Sequence, residues 1–166
     1  MTKYLTTYFG EVDFGKLDEW YETAFEVNGK QVEVSMTISK AFKTIDESDI
    51  RRVDDYVAAL QNHEKDIRTL LQHDFAQKGA TREYIDLQIG NQDKDDIAEL
   101  IENVGKRITK REKLLSIMSL LRVVFYPEKE DDMFAVFDYT IDEDLTDDVL
   151  AVKLRKDSSV SLAIES

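Results

Sequence analysis

The chain has 166 residues, of which 35 are acidic and 22 basic, so its net charge is −13 at pH 7. A hydrophobic content of 42% suffices for one folded domain with a sizeable core and excludes a disordered chain. The sequence has no cysteine, which excludes disulfides, thiolate nucleophiles and cysteine-ligated metals.

Charge and hydropathy also limit the compartment and the partners. The excess of acids disfavours nucleic acids and anionic membrane surfaces, because both attract cationic proteins. The sequence shows neither a signal peptide nor an apolar run of about 20 residues, so we expect a cytoplasmic protein without a membrane partner. The acidity either serves solubility alone or attracts a basic protein.

The N-terminal region predicts strands. Lys3–Phe9 is typical of a short first strand, and Asn28-Gly29 between two alternating runs predicts a hairpin with a type I′ turn. That turn pairs Val27 with Lys30 and continues to Tyr21 with Met36, which leaves one apolar and one polar face.

Trp20 falls on the polar face of this hairpin. Tryptophan is common at the energetic centres of interfaces, which favours a partner contact. The other interpretation is that a neighbouring loop or the first strand covers the ring.

Residues 44–113 predict helices, because the apolar spacing changes to three and four. Thr44-Ile-Asp-Glu47 has the form of a capping box, and an apolar stripe follows to about Gln77, either in one helix or in two with a break near Asn62. Arg82–Ile89 fits a strand or a helix. Asp93–Val104 predicts a helix that Asp93 caps, and the basic run Lys106–Lys113 fits a short helix or a connection.

The C-terminal region predicts four strands that pair in sequence. They are Leu120–Tyr126, Met133–Ile141, Val149–Leu154 and Val160–Ile164, with Pro127 ending the first. Pairing Tyr126 with Phe134 places Val124 opposite Val136 and Arg122 opposite Asp138. The charged pair is either a salt bridge that neutralises two partly buried groups or part of a ligand site that includes Tyr139.

Together these elements predict an α+β fold. An antiparallel sheet combines the N-terminal hairpin with a C-terminal four-stranded meander, and the central helices pack on one of its faces. We expect a single domain over residues 1–166, comprising N-terminal strands at 1–40, a helical insert at 44–113 and the meander at 117–166.

The negative charge is concentrated in residues 128–148, which hold ten acids and one lysine, a net charge of −9. Nine of these acids lie in two loops on either side of the strand Met133–Ile141, which itself holds Asp138, and we therefore expect two separate acidic patches at opposite ends of the sheet. The candidate partner-binding residues are Glu128, Glu130, Asp131, Asp132, Asp142, Glu143, Asp144, Asp147, Asp148 and Trp20.

No catalytic or metal-binding motif stands out. The two histidines, His63 and His73, lie ten residues apart on a predicted helix, about 15 Å along its axis, and cannot share a metal ion there. Residues 91–102 have part of the calcium-loop spacing, but Asp96 stands where the sharp turn needs glycine. We predict no metal and no cofactor, and whether the chain is an enzyme stays open.

The C-terminal half resembles an uncharacterised bacterial family. The resemblance rests on the Tyr126-Pro127 acidic loop, the strand Phe137-Asp138-Tyr139-Thr140-Ile141 and the segment Thr146-Asp147-x-x-Leu150-x-Val152. Phe9-Gly10, Trp20-Tyr21 and Asn28-Gly29-Lys30 also fit the pattern. Some members of that family look like products encoded near bacterial toxin systems, which implies an immunity-type binding role. The resemblance implies no catalytic residues.

Three functional hypotheses follow. The first is a non-catalytic acidic protein that engages a basic protein partner, as an immunity protein neutralises a toxin. The alternative is a small enzyme or ligand-binding domain with its site at Arg122, Asp138 and Tyr139. The third is a homodimer formed through the hairpin edge or the Trp20 face, so monomer and homodimer both remain open.

Overall fold

The computed structural model describes residues 3–15, 19–38, 45–105 and 107–166. These residues contain eight strands and five helices. The strands are β1 (Lys3–Leu5), β2 (Glu11–Asp13), β3 (Glu19–Val27), β4 (Lys30–Ile38), β5 (Ser119–Phe125), β6 (Met133–Thr140), β7 (Val149–Arg155) and β8 (Val160–Glu165). The helices are α1 (Glu47–Ala58), α2 (Leu60–Ala76), α3 (Ala80–Asn91), α4 (Lys94–Ile101) and α5 (Lys110–Ile117).

The strands β3 to β8 form one six-stranded sheet in chain order, and β1 and β2 form a separate ribbon. All neighbours in the large sheet are antiparallel except β4 and β5, which run parallel from Glu33–Arg122 to Met36–Phe125. The predicted α+β class is confirmed, with one parallel pairing that makes the sheet mixed. A parallel pairing requires a long crossover connection, and the five helices lie within it.

The hairpin of β3 and β4 has the predicted register. Val27 pairs with Lys30, Phe25 with Val32 and Tyr21 with Met36. Asn28 and Gly29 have φ angles of 51° and 79°, as a type I′ turn requires of both central residues. The local turn signal was therefore sufficient to set the facing of both strands.

The C-terminal meander is also confirmed. Arg122 pairs with Asp138 and Val124 with Val136, and the amide of Tyr126 donates to the carbonyl of Phe134 at 2.9 Å. The register shifts between Leu120 and Arg122, where a bulge places Leu120 opposite Tyr139. This bulge lies at the end of β5 that is nearest to the β6–β7 loop.

One face of the sheet forms the core with the helices. Because side chains alternate along a strand, Met36, Phe125, Phe137 and Val152 share this face, and all four are buried. The helical residues that join them in the core include Ile50, Val53, Val57, Leu60, Leu71, Tyr84 and Ile85. The opposite face, called the open face below, carries Trp20, Glu33, Arg122, Asp138 and Lys153.

The helix boundaries differ in part from the prediction. Asp46 caps α1 and Asp49 completes the capping box, whereas Thr44 lies outside the described residues. The long helical segment is two helices that meet at Ala59, three residues before Asn62, so the two-helix alternative is confirmed. Arg82–Ile89 belongs to α3, and Asp93 caps α4 as predicted, accepting from the amide of Asp95 at 2.8 Å.

The first strand is shorter than predicted, because the chain turns after Leu5. The hydroxyl of Thr6 donates to the Gly10 carbonyl at 2.7 Å, and buried Asp54 of α1 accepts from the amides of Thr7 and Tyr8. Across the described ranges, no helix has the length and apolarity needed to cross a membrane.

Candidate protein-binding site

The second acidic loop, residues 142–148, connects β6 to β7 and has a fixed local structure. The Asp142 carboxylate accepts from the amides of Asp144 at 2.8 Å and Leu145 at 3.1 Å. The Thr146 hydroxyl accepts from the amide of Asp148 at 3.0 Å. Such local bonds hold a turn without regular secondary structure. They leave Glu143, Asp144 and Asp147 exposed to solvent.

Helix α3 anchors both ends of this loop. The Tyr84 hydroxyl donates to the carbonyl of Asp148 at 3.1 Å and accepts from the amide of Ile141 at 3.2 Å. The side-chain amide of Gln88 donates to the Asp148 carboxylate at 3.0 Å. Tyr84 and Gln88 are fully buried, so the loop is tied to the core at its two ends. Burial also raises the pKa of the Tyr84 hydroxyl above its usual 10.0.

A groove of about 460 Å³ separates the second acidic loop from α4. We call it the helix-side groove. Its lining contains Leu100 and Leu145 as apolar residues, and every other lining residue is acidic. These acids are Asp96, Glu99, Glu102, Asp142 and Asp144. The groove therefore presents carboxylates around a small apolar floor.

A second concavity of about 480 Å³, the sheet-side groove, lies on the other side of the loop. It opens where β4 and β5 begin, at the bulge that includes Leu121. Strand pairing between β4 and β5 starts only at Glu33–Arg122, so the first residues of the two strands diverge. Four carboxylates line the groove beside one cation, Lys30; they are Glu33, Asp142, Glu143 and Asp144.

The carboxylates of the two grooves lack ion pairs in the part of the chain that the structure describes. No ion pair with any residue in the described ranges involves the acids that line the helix-side groove from α4 and its C-cap Glu102. The same holds for Glu33, Asp142, Glu143, Asp144 and Asp147. Like charges held close together repel, and a cation entering either groove relieves that repulsion. The arrangement is thus suited to basic side chains.

The first acidic loop, residues 128–132, does not form a comparable surface. Glu128, a predicted partner-binding residue, is only 1% exposed, which does not favour a partner contact, and its role in binding stays a prediction. The Lys156 ammonium donates to the carbonyls of Glu128 and Asp131, and burial lowers the pKa of Lys156. Lys129 donates to the carboxylates of Asp46 and Asp49 of α1. Much of this loop is therefore occupied in holding the fold.

Hydrogen bonds from Ser48 and Lys129 also change the pKa of Asp46, the N-cap residue of α1. The Ser48 side-chain hydrogen bond, followed by that from Lys129, lowers the pKa of Asp46 well below its usual 3.8. Bonds to Asp49 and Asp46 in turn raise the pKa of Lys129. Of the other acids in the first acidic loop, Glu130 and Asp132 are exposed and Asp131 is half-buried.

Trp20 lies on the open face and is 49% exposed, so the interpretation that a loop covers it is wrong. Its indole nitrogen donates to the carboxylate of Glu22 two residues along the same strand. Trp20 belongs to neither groove lining, and its role in binding stays a prediction.

The alternative site is divided between the two sheet faces. Arg122 Nε donates to Asp138 Oδ2 at 2.6 Å on the open face, with exposed side-chain fractions of 45% for Arg122 and 9% for Asp138. Tyr139 points the opposite way and is fully buried, and its hydroxyl donates to Glu64 at 3.3 Å. Adjacent residues of a strand face opposite directions, so these three side chains do not line one pocket.

The two histidines are separated as expected. His63 stacks on Tyr56 with ring centroids 3.7 Å apart, and His73 is exposed further along α2. Desolvation by burial lowers the pKa of His63, against a smaller opposing effect of Asp66. Among the described residues, no group of three or more metal-ligating side chains is placed to hold a metal ion.

The sequence reasoning missed the acids of α4. Asp96 and Glu99 of α4 and its C-cap residue Glu102 are spaced by three residues, which places them on one side of a helix. That spacing was visible in the sequence, but the proximity of these acids to the second acidic loop depends on the packing of α4.

Comparisons with models of known families, with curated proteins and with solved structures found no match.

Proposed function

We propose that the protein is a non-catalytic binding protein that engages a basic protein through the second acidic loop and its two grooves. The observation that carries the proposal is a fixed loop between two acid-lined concavities, whose exposed carboxylates Glu143, Asp144 and Asp147 form no ion pair within the part of the chain that the structure describes. The acids of the second loop and α4 replace the two separate patches as the centre of the binding surface.

Preorganisation supports a role in binding. The second acidic loop is held by Tyr84 and Gln88 before any partner arrives, so a partner does not have to order it on binding. A loop that is already in its bound conformation loses less entropy, which increases affinity. Its negative charge speeds encounter with an oppositely charged protein.

The shape of the grooves favours a folded protein with protruding lysine or arginine side chains. Both of these side chains have an apolar stem and a charged head. In the helix-side groove, Leu100 and Leu145 can contact the stem while Glu99 and Asp144 receive the charge. The resemblance to family members near toxin systems makes neutralisation of a basic toxin the proposed biological role.

Affinity capture with matched variants tests the proposal. The wild-type protein and the variant E143Q/D144N/D147N are immobilised and exposed to lysate of the source cell at low and high salt, and retained proteins are identified by mass spectrometry. We expect a basic protein that wild type retains at low salt, loses at high salt, and that the variant fails to retain. Salt acts because the screening length falls from about 30 Å at 0.01 M to about 10 Å at 0.1 M.

The control variant E26Q/D55N/D132N removes the same charge from three exposed positions outside both grooves. Retention of the basic protein by this control, together with its loss by the loop variant, locates binding at the second acidic loop. Equal loss with both variants would show that only net charge matters. No retained protein at low salt would reject the proposed function.

A further inference from the structure

A third cavity, called the turn cavity here, lies apart from the second acidic loop. Its volume is about 440 Å³, within the range of small-molecule sites. It is formed where the turn of the β3–β4 hairpin, the middle of α2 and the junction of α5 with β5 meet. Four polar or charged residues of its lining are Asn28, Lys30, Glu64 and Arg68.

Glu64 is the fixed group of this cavity. It is only 2% exposed, and its carboxylate accepts from Asn28 Nδ2 at 3.0 Å, Tyr139 Oη at 3.3 Å and Arg68 Nη2 at 3.3 Å. A buried carboxylate needs such donors, since an unpaired buried charge is costly. Glu64 therefore fixes the orientation of Arg68 through the hydrogen bond between them.

Arg68 has donors to spare. A guanidinium carries five N–H groups, and Arg68 makes one hydrogen bond with the described residues, to Glu64. The Cζ atom of the Arg68 guanidinium lies 5.5 Å from the centroid of the Tyr139 ring, and this contact further restricts the side chain. With 23% of the side chain exposed, Arg68 is a positioned donor that is open to the cavity.

The charge of the turn cavity selects the ligand. Arg68 and Lys30 contribute two positive charges and Glu64 one negative charge, so the three together carry a net charge of +1. One carboxylate balances this charge, whereas a phosphate dianion exceeds it. The planar guanidinium also matches the geometry of a carboxylate. Val27, Met118 and Leu120 add buried apolar lining that suits a short hydrocarbon body.

We propose that the turn cavity binds a small organic carboxylate, with its head group on Arg68 and Lys30 and its hydrocarbon chain against Val27, Met118 and Leu120. This site adjoins the proposed partner surface: its lining shares Lys30, Ser119 and Leu120 with the sheet-side groove but no residue with the second acidic loop itself, and Arg68 and Glu64 belong to the turn cavity and to neither groove. The turn cavity thus binds an anion although the protein as a whole carries a net charge of −13.

Titration of the ¹⁵N-labelled protein with butyrate, followed by NMR, tests the site. We expect saturable shifts of the Arg68 Nε–H and of amides around residues 27–30 and 116–120, with no such shifts from butyramide or butylammonium. Lengthening the chain from acetate to propionate to butyrate should tighten binding about fourfold per methylene group. Saturable binding of inorganic phosphate as tight as that of butyrate would overturn the carboxylate assignment.

Variants locate the head group. R68Q should weaken butyrate binding about tenfold or more and K30Q about threefold, because a charged hydrogen bond contributes more than a long-range attraction. K65Q removes an exposed charge of α2 outside the cavity and should leave affinity unchanged. Should R68Q unfold, K30Q and the chain-length series decide the question. Butyrate shifts that are absent, or that keep their affinity in K30Q and R68Q, would reject the site.

Discussion

The side-chain amide of Asn28 donates to the buried carboxylate of Glu64 at 3.0 Å and thereby fastens the β3–β4 turn to α2. Two further hydrogen bonds join Asn28 to the same helix. The backbone amide of Asn28 donates to Gln61 Oε1 at 3.0 Å, and Gln61 Nε2 donates to Asn28 Oδ1 at 2.6 Å. Asn28 thus combines a left-handed backbone conformation with a side chain that docks the hairpin.

Two substitutions of Asn28 separate these roles. Asn28→Gly keeps the left-handed conformation but removes the amide, so the buried Glu64 loses a donor and we expect a loss of about 1–3 kcal/mol in the free energy of unfolding. Asn28→Ala adds the strain of a β-carbon at positive φ, a further loss of about 1 kcal/mol. Urea denaturation of the three proteins measures both steps. Wild-type stability in Asn28→Gly would show that the Glu64 bond contributes nothing.

The Arg122–Asp138 pair predicts a non-additive double mutant. Asp138 is nearly buried, and its Oδ1 has no hydrogen bond with the described residues, so removal of Arg122 leaves the carboxylate without its counter-charge. We expect Arg122→Val alone to cost about 1–3 kcal/mol, less than a fully buried pair because Arg122 is half-exposed.

The double variant R122V/D138V tests the pairing further. Valine suits a strand, and neighbouring Val124 and Val136 already occupy the same face, so we expect the double variant to be at least as stable as R122V. A thermodynamic cycle built from urea denaturation of the wild type, both single variants and the double variant gives the coupling energy. Strictly additive effects would contradict a direct interaction.

Local signals explain which parts of the fold were predictable. Asn28-Gly29 fixes the register of its hairpin through the backbone conformation of two residues, and no distant contact is needed. In the meander, opposite charges at Arg122 and Asp138 and a proline at the strand end selected the same register as the structure. Adjacent strands joined by short loops leave few alternatives.

Distant contacts explain what was missed. The parallel pairing of β4 with β5 depends on how five helices pack between them, and no short sequence pattern specifies that packing. The run of acids at residues 128–132 predicts an exposed loop, yet Glu128 is buried, and Lys156, 28 residues further along the chain, helps to fix its loop. The acids of α4 join the second acidic loop only through such tertiary packing.

Tyr84 predicts a link between loop rigidity and binding. Tyr84→Phe removes the hydroxyl that bonds to Asp148 and Ile141, and we expect a loss of about 1–3 kcal/mol in stability because two backbone groups lose a partner. Hydrogen exchange of the Ile141 amide should become faster, and the captured basic protein should bind more weakly.

Tyr56→Phe is the matched control for Tyr84→Phe. The Tyr56 hydroxyl makes no hydrogen bond within the described ranges, although its ring packs against Phe125 and Phe134. We expect this control to keep the slow exchange of Ile141 and the affinity for the partner. Unchanged exchange of Ile141 in Tyr84→Phe would mean that the loop does not depend on α3.

His63 predicts a dependence of stability on pH. Burial against Tyr56 lowers the pKa of the folded imidazole below its ordinary 6.5, so the unfolded chain binds a proton more readily than the folded protein. The free energy of unfolding should therefore fall as the pH decreases through 6.5 and stop falling, for this group, below the folded pKa. Asp66 opposes the effect and limits its size.

His63→Phe tests this assignment, because phenylalanine retains an aromatic ring against Tyr56 but cannot titrate. The variant should lose less stability than the wild type between about pH 7.5 and pH 5.5 in urea denaturation, a window that spans the unperturbed histidine pKa. His73→Gln, at an exposed position of the same helix, serves as the control. It should keep the contribution of His63 to the dependence of the free energy of unfolding on pH. Titration of the imidazole by NMR gives the pKa directly. A His63 pKa at or above 6.5 would contradict burial as its dominant influence.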